Sequence, residues 1–204
     1  MKQALMRGTN RLVAAIVRRL HNNDVLTGLP NRVRFRDYLA RLLLASRNHN
    51  RQLAVGILVL HNLETIQDIL DDDAGDELVS QFTDMLSNDV PFYLGYVGPG
   101  VFAFLLEDIY DRKTAFSMMQ GVIRTVSRDM VVADLPIRTQ VSVGLAICPG
   151  DADTATALIQ KAKLAMTNAR KTGAQLLLFN QSMAPDLHKL QLISDLKSTL
   201  SAHE

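Results

Sequence analysis

Grouped carboxylates are the side chains of this sequence that could most directly do chemistry. Asp68 is followed by the run Asp71, Asp72 and Asp73, and Asp76 comes three positions later. Carboxylate oxygens grouped in this way are typical ligands of Ca²⁺ and Mg²⁺. The spacing matches no calcium-binding loop, however, and the glycine and asparagine pattern of such loops is missing. We therefore interpret the run as a solvated acidic loop.

A buried strand precedes this acidic segment. Leu53–Leu60 is a continuous apolar run of strand length, which predicts a central strand covered on both faces. His61 follows directly, and a short helix is predicted from there through Leu70. An imidazole nitrogen is a poor ligand for magnesium, which prefers oxygen. His61 is therefore interpreted as a solvated or hydrogen-bonded residue at the end of the strand.

A β-hairpin is predicted further along the chain, over Tyr93–Leu106. At its centre, Gly98, Pro99 and Gly100 suit a turn with proline at the first central position and glycine at the second, where φ is positive. Because proline cannot adopt the positive φ of a primed two-residue turn, we expect a looser or bulged connection.

Several stretches carry a resemblance to a known family. Asp24–Arg32, which reads DVLTGLPNR, resembles almost letter for letter the opening segment of GGDEF domains, the family that condenses two GTP molecules into cyclic di-GMP. From the residues alone, Gly28 and Pro30 predict a chain-reversing turn, with Asp24 and Arg32 pairing across it and a helix beginning near Asn31. The Ser-x-Gly-x-Ala pattern of a late strand and an alanine-rich helix over Thr154–Thr172 extend the resemblance to about residues 24–180.

The hairpin resembles the signature hairpin of the same family, but with altered residues. In that register the signature is Gly98, Pro99, Gly100, Val101 and Phe102, so its second glycine has become proline and its two acidic residues are Gly100 and Val101. The magnesium-binding aspartate of active members aligns with a second valine, Val59. The resemblance therefore implies a degenerate domain with no catalytic residues and no metal ligands at Val59 and Val101, so neither Mg²⁺ nor another cofactor is expected.

Three residues match positions that contact the nucleotide in the family. Asp76 aligns with the aspartate that reads the guanine edge, Gln67 with a second guanine contact, and Arg170 with a lysine that contacts the triphosphate. GTP is therefore a candidate ligand. Two alternatives stay open, because Asp76 also suits a helix N-terminus and Arg170 a helix C-terminus. The family's inhibitory arginine has no counterpart in residues 89–92, so no inhibitory product site is expected.

Composition excludes several classes of protein. Almost half of the 204 residues are hydrophobic, enough to bury a full core. The net charge of +1 gives no strong electrostatic case for binding nucleic acid. The single cysteine, Cys148, excludes a disulfide framework and fits a reducing cytoplasm. No apolar run reaches the roughly 20 residues of a membrane span, and a cytoplasmic protein is expected.

The resemblance implies an α/β (α+β) fold like the palm of nucleotide cyclases, with a central, mainly antiparallel five-stranded sheet flanked by helices. The domain is expected over residues 24–180. Residues 1–23 are predicted to form a signalling or linker helix that follows an upstream sensor module and can support a homodimer. Residues 181–204 are predicted to form a connector helix towards an EAL phosphodiesterase domain, as in a GGDEF–EAL tandem protein of bacterial signalling.

The function expected from these residues is regulatory. A catalytically inactive GGDEF domain would serve cyclic di-GMP signalling as a regulatory, dimerisation or interaction module. The alternative is a GTP-binding sensor that controls an adjoining EAL phosphodiesterase through Asp76, Gln67 and Arg170. A residual cyclase that uses a displaced acid such as Glu64 is disfavoured, because both aligned metal carboxylates are absent.

Overall fold

The computed structural model describes residues 22–46 and 52–183. The predicted linker helix over residues 1–23 and the connector helix over residues 181–204 therefore lie outside the described residues, apart from two residues at one end and three at the other. Among residues 22–46 and 52–183, no helix has both the length and the apolarity to cross a membrane.

Five α-helices and seven strands make up the described chain. The helices are α1 (Arg32–Ser46), α2 (Leu63–Ile69), α3 (Asp72–Asp89), α4 (Arg112–Val126) and α5 (Ala155–Thr172). The strands are β1 (Gln52–Leu60), β2 (Tyr93–Gly98), β3 (Val101–Ile109), β4 (Asp129–Val132), β5 (Leu135–Arg138), β6 (Val141–Cys148) and β7 (Leu176–Leu178). A short 3₁₀ helix over Gln181–Met183 follows.

Five of the strands form one sheet in the order β2-β3-β1-β6-β7. All neighbours are antiparallel except β6 and β7, which run parallel. The predicted fold class is therefore confirmed, and the apolar run that predicted a central strand is β1. The remaining two strands, β4 and β5, form a separate hairpin.

Helices cover both faces of the sheet, which explains why β1 is apolar throughout. Ala54 and Leu58 belong to the core beneath α3 and α4, whereas Val55, Ile57 and Val59 belong to the core beneath α1 and α5. Alternate residues of a strand point to opposite faces, so a strand between two helical layers needs apolar side chains at every position.

Gly144 allows α5 to approach the sheet closely. A Cβ atom at this mid-strand position of β6 would lie 2.0 Å from the Met166 nitrogen and 2.2 Å from the Ala162 carbonyl oxygen. The contact is between backbones, because alanines line this face of α5. The glycine of the Ser-x-Gly-x-Ala pattern thus marks a close backbone approach, as expected for a glycine inside a strand.

The opening segment is held by a local turn rather than by the predicted ion pair. The Asp24 carboxylate accepts hydrogen bonds from the Thr27 N–H at 2.9 Å and the Thr27 hydroxyl at 2.8 Å. Arg32 is exposed and forms no ion pair with Asp24. The predicted pairing is wrong because a donor three residues away closes this turn without ordering a long arginine side chain.

The hairpin of β4 and β5 was not predicted. The late strand with the Ser-x-Gly-x-Ala pattern is β6, which begins at Val141, whereas Arg138 ends the separate strand β5. Ala133 and Asp134 form the turn with φ of 48° and 61°, the left-handed values that a primed two-residue turn requires. No glycine marks this turn in the sequence, so its usual signal is missing.

Candidate functional site

The tip of the hairpin between β2 and β3 has the predicted form. Gly100 has a φ of +61°, and the register shifts between Tyr96 and Gly98, which is the expected irregularity. The Gly100 N–H donates a hydrogen bond of 2.9 Å to the Tyr96 hydroxyl, and its carbonyl oxygen accepts one of 2.8 Å from the Leu60 N–H. Both backbone polar groups of Gly100 are therefore bonded within the protein.

The two valines at the expected metal positions are cross-strand partners. Val59 of β1 pairs with Val101 of β3 and, on its other side, with Ser142 of β6. Directly paired residues share a face of the sheet, so these three side chains form a row. Val59 is only 8% exposed and packs in the core with Val101 against it. Isopropyl groups offer no ligand to a cation.

The acidic run forms the start of a helix, and its interpretation as a loop was wrong. Asp71 is the N-cap of α3, and its side chain accepts a hydrogen bond of 2.8 Å from the Ala74 N–H. Asp72 and Asp73 form the first helical turn. Carboxylates are stabilised there by free backbone N–H groups and the helix dipole. No group of three potential metal-ligating side chains occurs within the described residues.

Gln67 and Asp76, the predicted guanine contacts, lie close together. Gln67 covers Gly75, since a Cβ atom on that glycine would lie 2.4 Å from the Gln67 Cγ. Asp76 is exposed in the second turn of α3. Its charge reaches the hairpin: burial raises the pKa of Tyr96, and the carboxylates of Asp24 and Asp76 raise it further. We call this region, with β2 and β3, the hairpin side.

Arg170, the third predicted nucleotide contact, lies on the other side of β1. It borders an open cleft of about 710 Å³ at the end of the sheet, beside β6 and β7, which we call the cleft side. The cleft is lined by His61, Ser127, Arg138, Thr139, Gln140, Val141, Ser142, Arg170, Gly173, Ala174 and Gln175. None of the hairpin residues 98–102 lines it, and neither does Gln67 nor Asp76.

His61 is hydrogen-bonded, which is one of the two predicted interpretations. Its Nε2 atom lies 3.0 Å from the Ser142 hydroxyl oxygen, which donates in turn to the Ala174 carbonyl oxygen at 3.3 Å. Because the hydroxyl has only one hydrogen, His61 Nε2 carries a hydrogen and donates it to Ser142. Partial burial lowers the pKa of His61, and the nearby charge of Arg170 lowers it further.

Arg138 was not among the predicted site residues. It is the last residue of β5, and the hairpin of β4 and β5 places it at the cleft together with Arg170 of α5. The two arginines are 32 positions apart in the sequence. No spacing pattern links them, so only the placement of the hairpin beside the sheet could have indicated this pair.

Fold and site together define a class: an α/β domain built on a palm-like sheet, with a signature hairpin beside the central strand. The family model described as diguanylate cyclase, GGDEF domain, matches residues 21–175. The chain therefore belongs to the GGDEF family.

Similar proteins come from bacterial signalling. The chain is 28% identical over 161 residues to the diguanylate cyclase TpbB of Pseudomonas aeruginosa, covering 78% of the chain and 37% of TpbB. It is 26% identical over 189 residues to MucR of the same organism, a bifunctional diguanylate cyclase and cyclic di-GMP phosphodiesterase, covering 91% of the chain and 27% of MucR. The chain thus spans about a third of the length of these relatives.

Solved structures agree in fold. The structure of an N-terminally truncated TpbB mutant from Pseudomonas aeruginosa, which comprises only the GGDEF domain, has a TM-score of 0.75 and 26% identity, covering 83% of this chain and 99% of that one. The coiled coil and GGDEF domain of DgcB from Caulobacter crescentus, in complex with c-di-GMP, has a TM-score of 0.76 at 18% identity, covering 87% of this chain and 95% of that one. The latter shows the fold alone.

Proposed function

We propose that this GGDEF domain does not make cyclic di-GMP and serves cyclic di-GMP signalling as a regulatory, dimerisation or interaction module. The observation that carries the proposal is the pairing of Val59 with Val101 across β1 and β3. Metal-assisted transfer of a nucleotidyl group needs oxygen ligands for Mg²⁺, which offsets triphosphate charge and activates the attacking hydroxyl. Two packed valines supply neither function.

The tip of the hairpin supports the same proposal. Gly100 stands at one of the two acidic positions of the signature, and a Cβ atom there would lie 3.0 Å from the Leu63 Cδ2 atom. Its positive φ also disfavours any side chain. An aspartate restored here would need the left-handed conformation that Asp134 adopts at a φ of 61°, and its Cβ atom would press against the Leu63 side chain.

The direct test is an assay of the purified chain with GTP and Mg²⁺, in which cyclic di-GMP is measured by chromatography. The TpbB GGDEF domain, assayed in parallel, serves as the active comparison. We expect no product above that of a reaction without protein. Cyclic di-GMP formed in proportion to the amount of this chain would overturn the proposal and would point to a residual cyclase.

A GTP-binding sensor is the second candidate, favoured by the contact between Gln67 and the backbone beside Asp76. In this role GTP binding would control an adjoining EAL phosphodiesterase domain in the cytoplasm, downstream of a sensor module. The name of MucR, which combines cyclase and phosphodiesterase activities, supports such a tandem arrangement. A homodimer through residues 1–23 is compatible with either role.

Calorimetric titration with GTP distinguishes the two roles. A sensor should show saturable binding that Asp76→Ala abolishes, because a carboxylate is the acceptor for the guanine N–H groups. Asp72→Ala is the matched control, since it removes an exposed carboxylate from the first turn of the same helix. The absence of saturable heat with the unsubstituted chain would exclude the sensor and leave the interaction module.

A further inference from the structure

We propose that the exposed face of α1 is a docking surface for an acidic amphipathic helix of a partner protein. This inference rests on the interaction role proposed above, for which it names the surface and the chemistry of the partner. It uses none of the residues that line the cleft and none of the signature positions 98–102.

Charge is divided unequally between the helices of the two layers. Helices α1 and α5, which cover the same face of the sheet, together carry eight lysine and arginine residues and a single carboxylate, Asp37. Helices α2 and α3, on the other face, carry eight carboxylates and no cation. The net charge of the whole chain, +1, conceals this division. The layer of α1 and α5 therefore attracts acidic partners.

The exposed face of α1 has the spacing of a surface on which a second helix packs. Val33, Asp37, Ala40 and Leu44 are exposed and recur at intervals of four, three and four residues, opposite the side that α1 buries. Val33 is 49% exposed and Leu44 is 65% exposed. Such spacing is the a and d pattern of a heptad repeat. We call these four residues the α1 seam, which extends about 16 Å along three helical turns.

Arginines flank the α1 seam on both sides. With Asp37 and Leu44 at heptad position a, Arg34 and Arg41 occupy position e and Arg36 occupies position g. Residues at these two positions form the interhelical ion pairs that select a partner. All the cations of α1 are arginines, which are enriched at protein interfaces and bind carboxylates in a bidentate manner. A partner helix is therefore expected to carry Asp or Glu on both sides of its apolar residues.

Arg41 is held in position by neighbouring rings. Its guanidinium carbon lies over the Tyr38 ring, 5.9 Å from the ring centroid. The Tyr38 ring stacks in turn on Tyr93 of β2, with 4.1 Å between the two centroids. A side chain that is already ordered loses less conformational entropy when a partner binds. Arg41 is therefore suited to anchor the acidic side of a partner helix.

A second copy of this chain fits the α1 seam poorly. Two α1 helices packed together would bring arginines against arginines, which repel each other. The acidic helix α3 exposes no large apolar side chain that could cover Val33 and Leu44. Residues 1–21 contain five cations and no carboxylate, and residues 184–204 contain three carboxylates against two lysines. None of these segments is the acidic helix with an apolar face that the seam requires.

An anionic membrane also suits this face less well than a helix does. Asp37 lies within the α1 seam, and its carboxylate accepts a hydrogen bond of 3.1 Å from Arg36. Anionic lipid headgroups would repel this carboxylate, whereas a helix can place one lysine or asparagine opposite it. A single polar residue inside an apolar seam fixes the register of a helix pair. We therefore expect one such residue on the apolar face of the partner.

The test is calorimetric titration of the chain with a designed peptide of three heptads. This glutamate peptide has leucine at positions a and d, except for one lysine at the central a position, and glutamate at e and g. We expect saturable binding that is weakened about tenfold or more by Arg36→Glu/Arg41→Glu and about tenfold by Leu44→Ser. Lys113→Glu/Arg124→Glu is the matched control, because it reverses two exposed cations of α4 on the other face. It should change the affinity less than twofold.

A second peptide, with lysine at e and g in place of glutamate, provides the reverse test. This lysine peptide should not bind the unsubstituted chain, but it should bind Arg36→Glu/Arg41→Glu. Gain of binding by the substituted chain cannot result from a failure to fold. The proposal is overturned if the glutamate peptide does not saturate, if both peptides bind equally, or if the arginine substitutions have no more effect than the control.

Two further measurements identify other occupants of the face. Binding to vesicles of equimolar phosphatidylcholine and phosphatidylglycerol that Arg36→Glu/Arg41→Glu abolishes would assign the face to a membrane. A dimer of the chain in analytical ultracentrifugation that Leu44→Ser dissociates would assign it to a second copy, and either result overturns the proposal. The cyclase assay has a separate readout, so failure of the peptide to bind would leave the proposed loss of catalysis standing.

Discussion

The C-terminal end of β1 has different neighbours on its two sides, although both neighbouring strands belong to the same sheet. On the hairpin side, the end of β1 meets Val101 and Gly100, whose N–H and carbonyl groups are bonded to Tyr96 and Leu60. On the cleft side it meets Ser142, which is bonded to His61, and an open space flanked by two arginines. At the end of β1, the hairpin side presents packed valines, whereas the cleft side presents polar and cationic groups around an open cleft.

The neighbouring strands therefore set the character of each side of one strand end. The two positions that align with the family's metal ligands are packed valines, whereas the polar groups on the far side of β1 border an open cleft. Substitutions on either side of β1 test whether the two sides behave independently.

The largest effect is expected for Gly144→Ala, which would push α5 away from β6 and disrupt the wall of the cleft side. Backbone atoms of α5 cannot yield as a side chain does, so we expect a loss of about 3 kcal/mol in the free energy of unfolding, measured with urea. Gly56→Ala is the control, because the two atoms nearest its Cβ atom would be the ends of flexible side chains, both at 3.1 Å. An equal loss in both variants would contradict this account of Gly144.

The second-largest loss of stability is expected for Val59→Asp on the hairpin side. The introduced carboxylate would be buried beside Val101, and the neighbouring Ser142 hydroxyl already donates its hydrogen to the Ala174 carbonyl oxygen. We therefore expect a loss of about 2 to 3 kcal/mol in the free energy of unfolding at pH 7. The loss should shrink at lower pH, because protonation removes the buried charge. Val59→Asn provides the control, since its loss should not vary with pH. Urea unfolding of both variants at pH 7 and pH 5 measures these losses. An equal change with pH in the two variants would argue against burial of the side chain at position 59.

Gly100→Ala should cost about 1 to 2 kcal/mol, because an alanine at positive φ is strained and the Leu63 side chain is close. Gly98→Ala is the matched control in the same hairpin. Its nearest side-chain atom is 3.9 Å away and its φ is not positive, so a change within about 0.5 kcal/mol is expected. Thermal or urea unfolding of the two variants makes the comparison, and similar losses would refute the role assigned to φ.

The smallest effect concerns His61 on the cleft side. Its pKa is lower in the folded protein than its ordinary value of about 6.5. Protonation therefore favours the unfolded chain, and stability should decline as the pH falls through about 6.5 and level off below the folded pKa. His61→Gln should remove this part of the decline, as measured by urea unfolding between pH 7.5 and pH 5. If the free energy of unfolding varied with pH in the same way in both proteins, the lowered pKa of His61 would be contradicted.

Local patterns predicted much of the scaffold correctly. The apolar run of β1, the turn at Pro99 and Gly100, and the helix that follows Thr154 all depend on residues within a few positions of one another. Their periodicity and turn chemistry can be read directly from the chain. Errors arose where neighbouring groups compete, as when Thr27 rather than Arg32 paired with Asp24, and when the acidic run began α3.

The sequence by itself determined the strand and turn of the hairpin, the glycine that admits α5, and the absence of carboxylates at Val59 and Val101. Only the tertiary structure decided that those two valines are neighbours, and that Arg138 and Arg170 border one cleft. The physical reason is that strand order, register and helix packing join residues far apart in the chain, and these contacts leave no local pattern for a sequence to display.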